Sequence, residues 1–248
     1  MNSPEDCVVV RGERFYAENI GNLLRLHLDG FRISDISEIE GLERLTDLAT
    51  LDLSGNEITE IKGLEKLTNL DYLGLQGNKI KKIEGLEKLT NLRFLYLNDN
   101  QIVKITGLET LSNLVHLDLS GNEITKISGL GTLINLGHLD LHDNKIKEIS
   151  GLGTLINLGH LDLLDNKIKE ISGLDNLRKL SSLMLCYNQI SELKGLEHLE
   201  KLRAIDLGDN NIPLEVLEQV ETKSPYSGPV GENAIDVKKA VEYCRKNS

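Results

Sequence analysis

The chain has 248 residues, 40% of them hydrophobic, which is enough for one or two ordinary domains. Its 28 basic and 39 acidic side chains leave a net charge of −11. That balance argues against nucleic acid and anionic membrane as partners, because both need clustered positive charge, and no apolar run is long enough to span a bilayer.

The N-terminal stretch MNSPEDCVVVRGERF puts acidic residues ahead of a short valine run, which is not the pattern of a signal peptide. Cys7–Val10 and residues 14–17 flank Arg11-Gly12-Glu13, which predicts a hairpin, and residues 1–22 are expected to form an N-terminal cap. Leu26-His27-Leu28 then reads as the first of nine strands in an array spanning residues 23–212. Phe31 stands in this first unit where later units carry asparagine, and the unit is longer than the rest, as an atypical terminal repeat should be.

From there the chain is periodic. Asn56, Asn78, Asn100, Asn122, Asn144, Asn166, Asn188 and Asn210 lie 22 residues apart. Self-similarity at a fixed period of this length signals a stacked repeat. In the unit GLEKLTNLDYLGLQGNKIKKIE, Leu73-Gly74-Leu75 alternates with period two and predicts a short strand with both leucines inward. Leu64, Leu67 and Leu70 recur every third residue, which fits 3₁₀ or irregular helix better than a long α-helix. No unit can bury its own apolar edge, so stacking must do so. The asparagines have a structural reading. After each strand the chain turns inward, and an amide side chain supplies both donors and an acceptor for backbone groups that would otherwise be unpaired.

Residues 131–152 and 153–174 differ only at His142 against Leu164, which suggests duplication or a consensus-like construction. Beyond the array, Pro213 opens an expected helix at Leu214–Val220. Residues 222–232 read as a loop, and Asn233 is placed as the cap of a second helix ending near Lys246. Its stripe of Val237, Val241 and Cys244 is expected to dock on the last repeat, so residues 213–248 form a C-terminal helical cap; a tail that engages a partner is the alternative. Cys7, Cys186 and Cys244 are odd in number and scattered, which points to a reducing, cytoplasmic setting. No metal-spacing CxxC, phosphate-binding glycine loop or GxSxG occurs, and no cofactor is expected.

The pattern LxxLxLxxNxIxxI resembles the leucine-rich repeat family, and the 22-residue unit with GLxxLxxL is most similar to its SDS22-like class. The resemblance implies an α/β fold: a right-handed solenoid with a parallel β-sheet on the concave face, a 3₁₀ or irregular helical convex face and capped ends. It also implies a scaffold or regulator, of the kind that holds an enzyme such as a phosphatase.

Strand alternation sorts the outward positions into columns. The first column runs Arg25, Thr50, Tyr72, Phe94, His116, His138, His160, Ser182, Ala204. The second runs His27, Asp52, Gly74, Tyr96, Asp118, Asp140, Asp162, Met184, Asp206, and the third holds Asp29, His142, Leu164 and Cys186 among others. Tyr72, Phe94 and Tyr96 are expected to form an exposed aromatic cluster, with a softer patch of Leu164, Met184, Cys186 and Tyr187 further along. His116, His138 and His160 run beside Asp118, Asp140 and Asp162, and the aspartates are expected to raise the histidine pKa values.

The function these features favour is non-catalytic protein–protein binding on the concave face by a monomer. The contact set is Tyr72, Phe94, Tyr96, Asp52, His116, Asp118, His138, Asp140, His160, Asp162, Leu164, Met184 and Tyr187, and the partner presents a basic surface. Two alternatives stay open. One is a metal- or pH-responsive module using the histidine and aspartate strip. The other is an engineered, consensus-like scaffold.

Overall fold

The computed structural model describes residues 7–220 and 235–247. Strands β1 (Cys7–Val10) and β2 (Glu13–Tyr16) form an antiparallel hairpin. Its turn is Arg11-Gly12, both at positive φ, as a two-residue hairpin connection requires. Strand β3 (Glu18–Ile20) comes next and pairs antiparallel with β4 (Leu23–His27). Strand β5 (Ile39–Glu40) returns to pair with β1 and completes a small three-stranded sheet.

Eight more strands complete the main sheet: β6 (Leu48–Asp52), β7 (Tyr72–Gly74), β8 (Phe94–Tyr96), β9 (His116–Asp118), β10 (His138–Asp140), β11 (His160–Asp162), β12 (Ser182–Met184) and β13 (Ala204–Asp206). With β4 they make nine parallel strands, each beside its neighbour in sequence, and β3 adds an antiparallel edge. From β7 onward each strand is only three residues long, with its central Leu or Ile pointing into the core. The solenoid is thus a parallel-strand stack with few helices.

The return segments differ in one detail from the expectation. The three-residue leucine spacing produces two successive single turns rather than a continuous helix. In one unit the Leu67 amide donates to Leu64 at 2.9 Å and the Leu70 amide to Leu67 at 3.1 Å. Among the described residues only the first repeat closes a 3₁₀ helix there, at Leu42–Arg44, with a second at Ile36–Glu38 inside the lengthened unit. All three leucines of this turn pair are fully buried, which is what eclipsed i, i+3 side chains allow. The glycine opening each return is fixed by backbone geometry. Gly107 sits at φ +73, and a Cβ there would lie 2.3 Å from the Ile83 carbonyl oxygen of the preceding unit. Units can stack this closely only if that position has no side chain.

All eight asparagines of the ladder make the same bonds. Asn122 is typical. Its Oδ1 accepts from the Ile102 amide at 2.9 Å, and its Nδ2 donates to Leu97 of the preceding unit and Leu119 of its own, both at 3.0 Å. Seven of the eight are buried, while Asn210, in the last unit, is partly exposed.

At the N-terminal end of the described residues, Arg11 of the hairpin pairs with the first turn. Its guanidinium donates to the Arg32 carbonyl at 2.7 Å and to Glu38 at 3.0 Å. Phe31, in the asparagine position, instead packs edge-on against Phe15 with ring centroids 4.7 Å apart. At the other end, α1 (Leu214–Val220) and α2 (Val237–Asn247) pack on one another. Val220, Ala240, Val241 and Cys244 join the same core as the repeats. Arg245 Nε donates to the Glu197 carbonyl at 2.9 Å and ties α2 to the last repeat. The α2 amides of Lys238 and Lys239 are accepted by Asp236, so Asp236 caps this helix. Asn233, expected in that role, and the loop at 222–232 lie outside the described residues.

Candidate functional site

The parallel register turns the sequence columns into spatial rows. Tyr72, Phe94, His116, His138, His160, Ser182 and Ala204 are successive partners along the sheet, and so are Gly74, Tyr96, Asp118, Asp140, Asp162, Met184 and Asp206. Neighbouring strands lie about 4.8 Å apart, close enough for flat rings in one row to stack.

They do stack. Ring centroids run Tyr72 to Tyr96 at 5.2 Å, Tyr96 to His116 at 4.9 Å, His116 to His138 at 4.3 Å and His138 to His160 at 4.2 Å. The result is one continuous column of five rings across five strands. Gly74 makes the crossing from one row to the other possible: a Cβ there would lie 3.3 Å from the Tyr72 ring. Phe94, expected in the aromatic cluster, stands outside this stack. The Arg93 guanidinium lies 5.3 Å from its ring centroid, and Arg93 pairs with Asp71. Tyr72, Phe94 and Tyr96 are half-buried rather than fully exposed: Tyr72 and Tyr96 shield each other across one strand spacing, and Arg93 covers Phe94.

The aspartate row is held by the backbone. Asp52, Asp118, Asp140, Asp162 and Asp206 each accept the amide two residues further on, at 2.9–3.1 Å. These bonds aim the carboxylates along the face. Leu164 and Met184 are half-buried beside them, and Cys186 is buried outright. Tyr187 is 56% exposed and lies beyond the strand, at φ +55, where other units place Gly or Asp.

The electrostatics reverse one expectation. The aspartates do not raise His116 or His138. Burial in the stack lowers His116, with Asp118 and Asp140 opposing it. Burial, then repulsion from His160 and His116, pushes His138 down to about 4 against a weaker pull from Asp140. Stacking removes water from both ring faces, and this loss of solvation outweighs the carboxylates beside them. His142 goes the other way. Burial opposes its charge, but Asp140, at 2.8 Å from Nδ1, together with Asp162 and Asp118 raises its pKa. The result expected by NMR is a His138 imidazole titrating near 4. The unfolded chain then binds the proton first, so this group contributes stability above about pH 6.5 that is lost as pH falls toward 4. A His138 midpoint above the ordinary imidazole value would contradict the stack.

Two groups among the described residues bring three potential metal-ligand atoms within 4.8 Å of one another: His27, Asp29 and Asp52, and Asp140, His142 and Asp162. The stacked histidines belong to neither. Columns alone point to His116, His138 and His160, whereas side-chain reach selects His142, two residues from Asp140 on the same strand face. Both groups lie on open sheet, and in the second His142 already bonds Asp140.

The profile for leucine-rich repeats in two copies matches residues 46–88, 68–110, 90–132, 112–152 and 134–176. No curated protein sequence matches the chain. Among solved structures, the chain is similar to internalin C2 of Listeria monocytogenes, with 34% identity over 73% of this chain and 79% of that one and a TM-score of 0.66. It is similar to a leucine-rich repeat protein of Leptospira interrogans, with 27% identity over 78% and 57% and a TM-score of 0.66. TLR13, in its complex with ssRNA13, matches at 28% identity over 68% and 26%, with a TM-score of 0.63. No helix among the described residues is long and apolar enough to cross a membrane. The repeat period, the parallel stack and these matches agree: the chain belongs to the leucine-rich repeat family.

Proposed function

We propose that this protein is a non-catalytic interaction scaffold or regulator of the SDS22-like class, acting in the cytoplasm as a monomer. It binds a protein with a basic surface on its concave sheet. In this reading residues 1–22 and 213–248 close the ends of the 23–212 array. Leucine-rich repeat proteins are generally scaffolds, and an open sheet suits binding better than chemistry. The observation that carries the reading is a segregation of charge. The three concave columns hold Asp29, Asp52, Asp118, Asp140, Asp162 and Asp206, and Arg25 is their only Lys or Arg. Lysines such as Lys66, Lys88 and Lys104 sit on the return segments instead. A surface of one sign speeds encounter with a partner of the other and orients it. The RNA partner of TLR13 belongs to that protein; the acidic face here would repel a phosphate backbone.

The test compares faces. A partner recovered with the wild-type chain should be lost with Asp118→Lys plus Asp140→Lys and retained with Lys66→Glu plus Lys88→Glu. The opposite pattern would place the contact on the return segments.

A further inference from the structure

The ring column ends abruptly. Tyr72, Tyr96, His116 and His138 each have a ring on the next strand against them, but the partner of His160 in register is Ser182, followed by Ala204. Among the described residues, the second face of His160 therefore has no ring partner. Two residues along the same strand face stands Asp162. It is half-buried and accepts the Leu164 amide at 2.9 Å, and among the described residues no Lys or Arg pairs with it. Met184 is its neighbour in register, and Asp206 lies one strand beyond. An open π face, a carboxylate without a Lys or Arg partner and an apolar thioether thus meet above two small side chains.

We infer that the concave sheet takes an arginine side chain of the partner at this step, with the guanidinium flat on His160 above Ser182, a carboxylate contact to Asp162, and the aliphatic stem along Met184. This rests on the concave-face reading and specifies its anchor. Arginine fits where lysine does not. Its planar guanidinium stacks on a ring and keeps a fork of N–H donors for a carboxylate, whereas an ammonium is a compact, strongly hydrated point charge. Spacing decides the location. A flat group stacked on His160 occupies the slot that the next ring of the column would have filled, about one strand spacing away.

The experiment is an NMR titration of the whole chain at pH 8 with a blocked, glycine-flanked arginine peptide, and with its lysine and citrulline counterparts. The arginine peptide should shift the His160, Asp162 and Ser182 signals in a saturable way. It should bind at least about fivefold tighter than the lysine peptide, and the uncharged citrulline peptide should be weaker still. Ser182→His puts in this slot the residue that the three preceding strands carry, so the fold is preserved and the stack extended. It should weaken arginine binding about tenfold, as should Asp162→Asn. Equal affinity for arginine and lysine, indifference to Ser182→His, or no saturable shift would overturn the inference. Saturable shifts centred on Tyr96 and Asp118 would overturn the slot but keep the concave face. Shifts confined to the return segments would overturn both.

Discussion

Asn122→Leu should lower the unfolding free energy by about 1–3 kcal/mol, because it leaves the buried Ile102 amide without a partner. The replacement is close in size, so the loss is not a cavity effect. What disappears is the acceptor for the Ile102 amide, at a site only 7% exposed, and one of the two amide donors to each of the Leu97 and Leu119 carbonyls, which keep Asn100 and Asn144. Water cannot reach these groups, and unpaired buried polar groups carry their full desolvation cost. Asn210→Leu breaks the equivalent bonds to Ile190, Leu185 and Leu207. Its site is partly open at the end of the array, so its cost should be distinctly smaller. Lys88→Ala, on an exposed return segment, should change stability by less than about 0.5 kcal/mol. Urea melts of the three variants check the ranking. Equal midpoints for Asn122→Leu and Lys88→Ala would refute the ladder as a source of stability.

The array is legible in the sequence because it is a consequence of period. A 22-residue repeat with leucines in fixed places leaves each strand only one neighbour in each direction, so strand order and register emerge without any knowledge of loops. The hairpin at Arg11-Gly12 and the helix at Leu214–Val220 are legible for local reasons, a turn glycine and an opening proline. A second amide row is equally periodic but escapes the sequence argument. Asn69, Asn91, Asn113, Asn135 and Asn157 each donate to a carbonyl of the preceding unit at 2.7–3.1 Å. They sit outside the inward turn, where polarity looks like ordinary surface, and the argument from burial does not select them.

The candidate site is legible as rows but not as contacts. Alternation assigns every outward residue to its column, and the register agrees residue by residue. Whether rings in a column stack depends on side-chain torsions that alternation does not fix. Alternation therefore groups Phe94 with Tyr72 and Tyr96, although Tyr72 leans across Gly74 toward Tyr96 and leaves Phe94 beside Arg93. The sign of the histidine shift is missed for the same reason. Counting charges gives the aspartates the larger effect, but stacking adds a desolvation cost that no count of charges contains. The choice of His142 over the histidine column at the Asp140 and Asp162 carboxylates also depends on reach.

Tyr96→Ala should weaken binding of the partner by about 2 kcal/mol or more, roughly a 30-fold rise in Kd, and mainly through faster dissociation. Tyr96 is the middle of the case for an anchor. Its ring lies between Tyr72 and His116, at 5.2 and 4.9 Å, on a strand whose register is fixed on both sides. A ring held this way has lost its rotamer freedom before the partner arrives, so little ordering cost remains at binding. Phe94→Ala should cost less, since Phe94 stands outside the stack and packs with an exposed Arg93. The aspartates should behave differently from both. Asp118→Asn removes a charge but keeps the shape, so it should slow association, flatten its dependence on salt and leave dissociation nearly unchanged. Stopped-flow or surface kinetics against the recovered partner separate these outcomes. If Tyr96→Ala changed only the association rate, the ring would be a steering element and not an anchor. If neither variant altered either rate, the partner would bind away from the concave sheet.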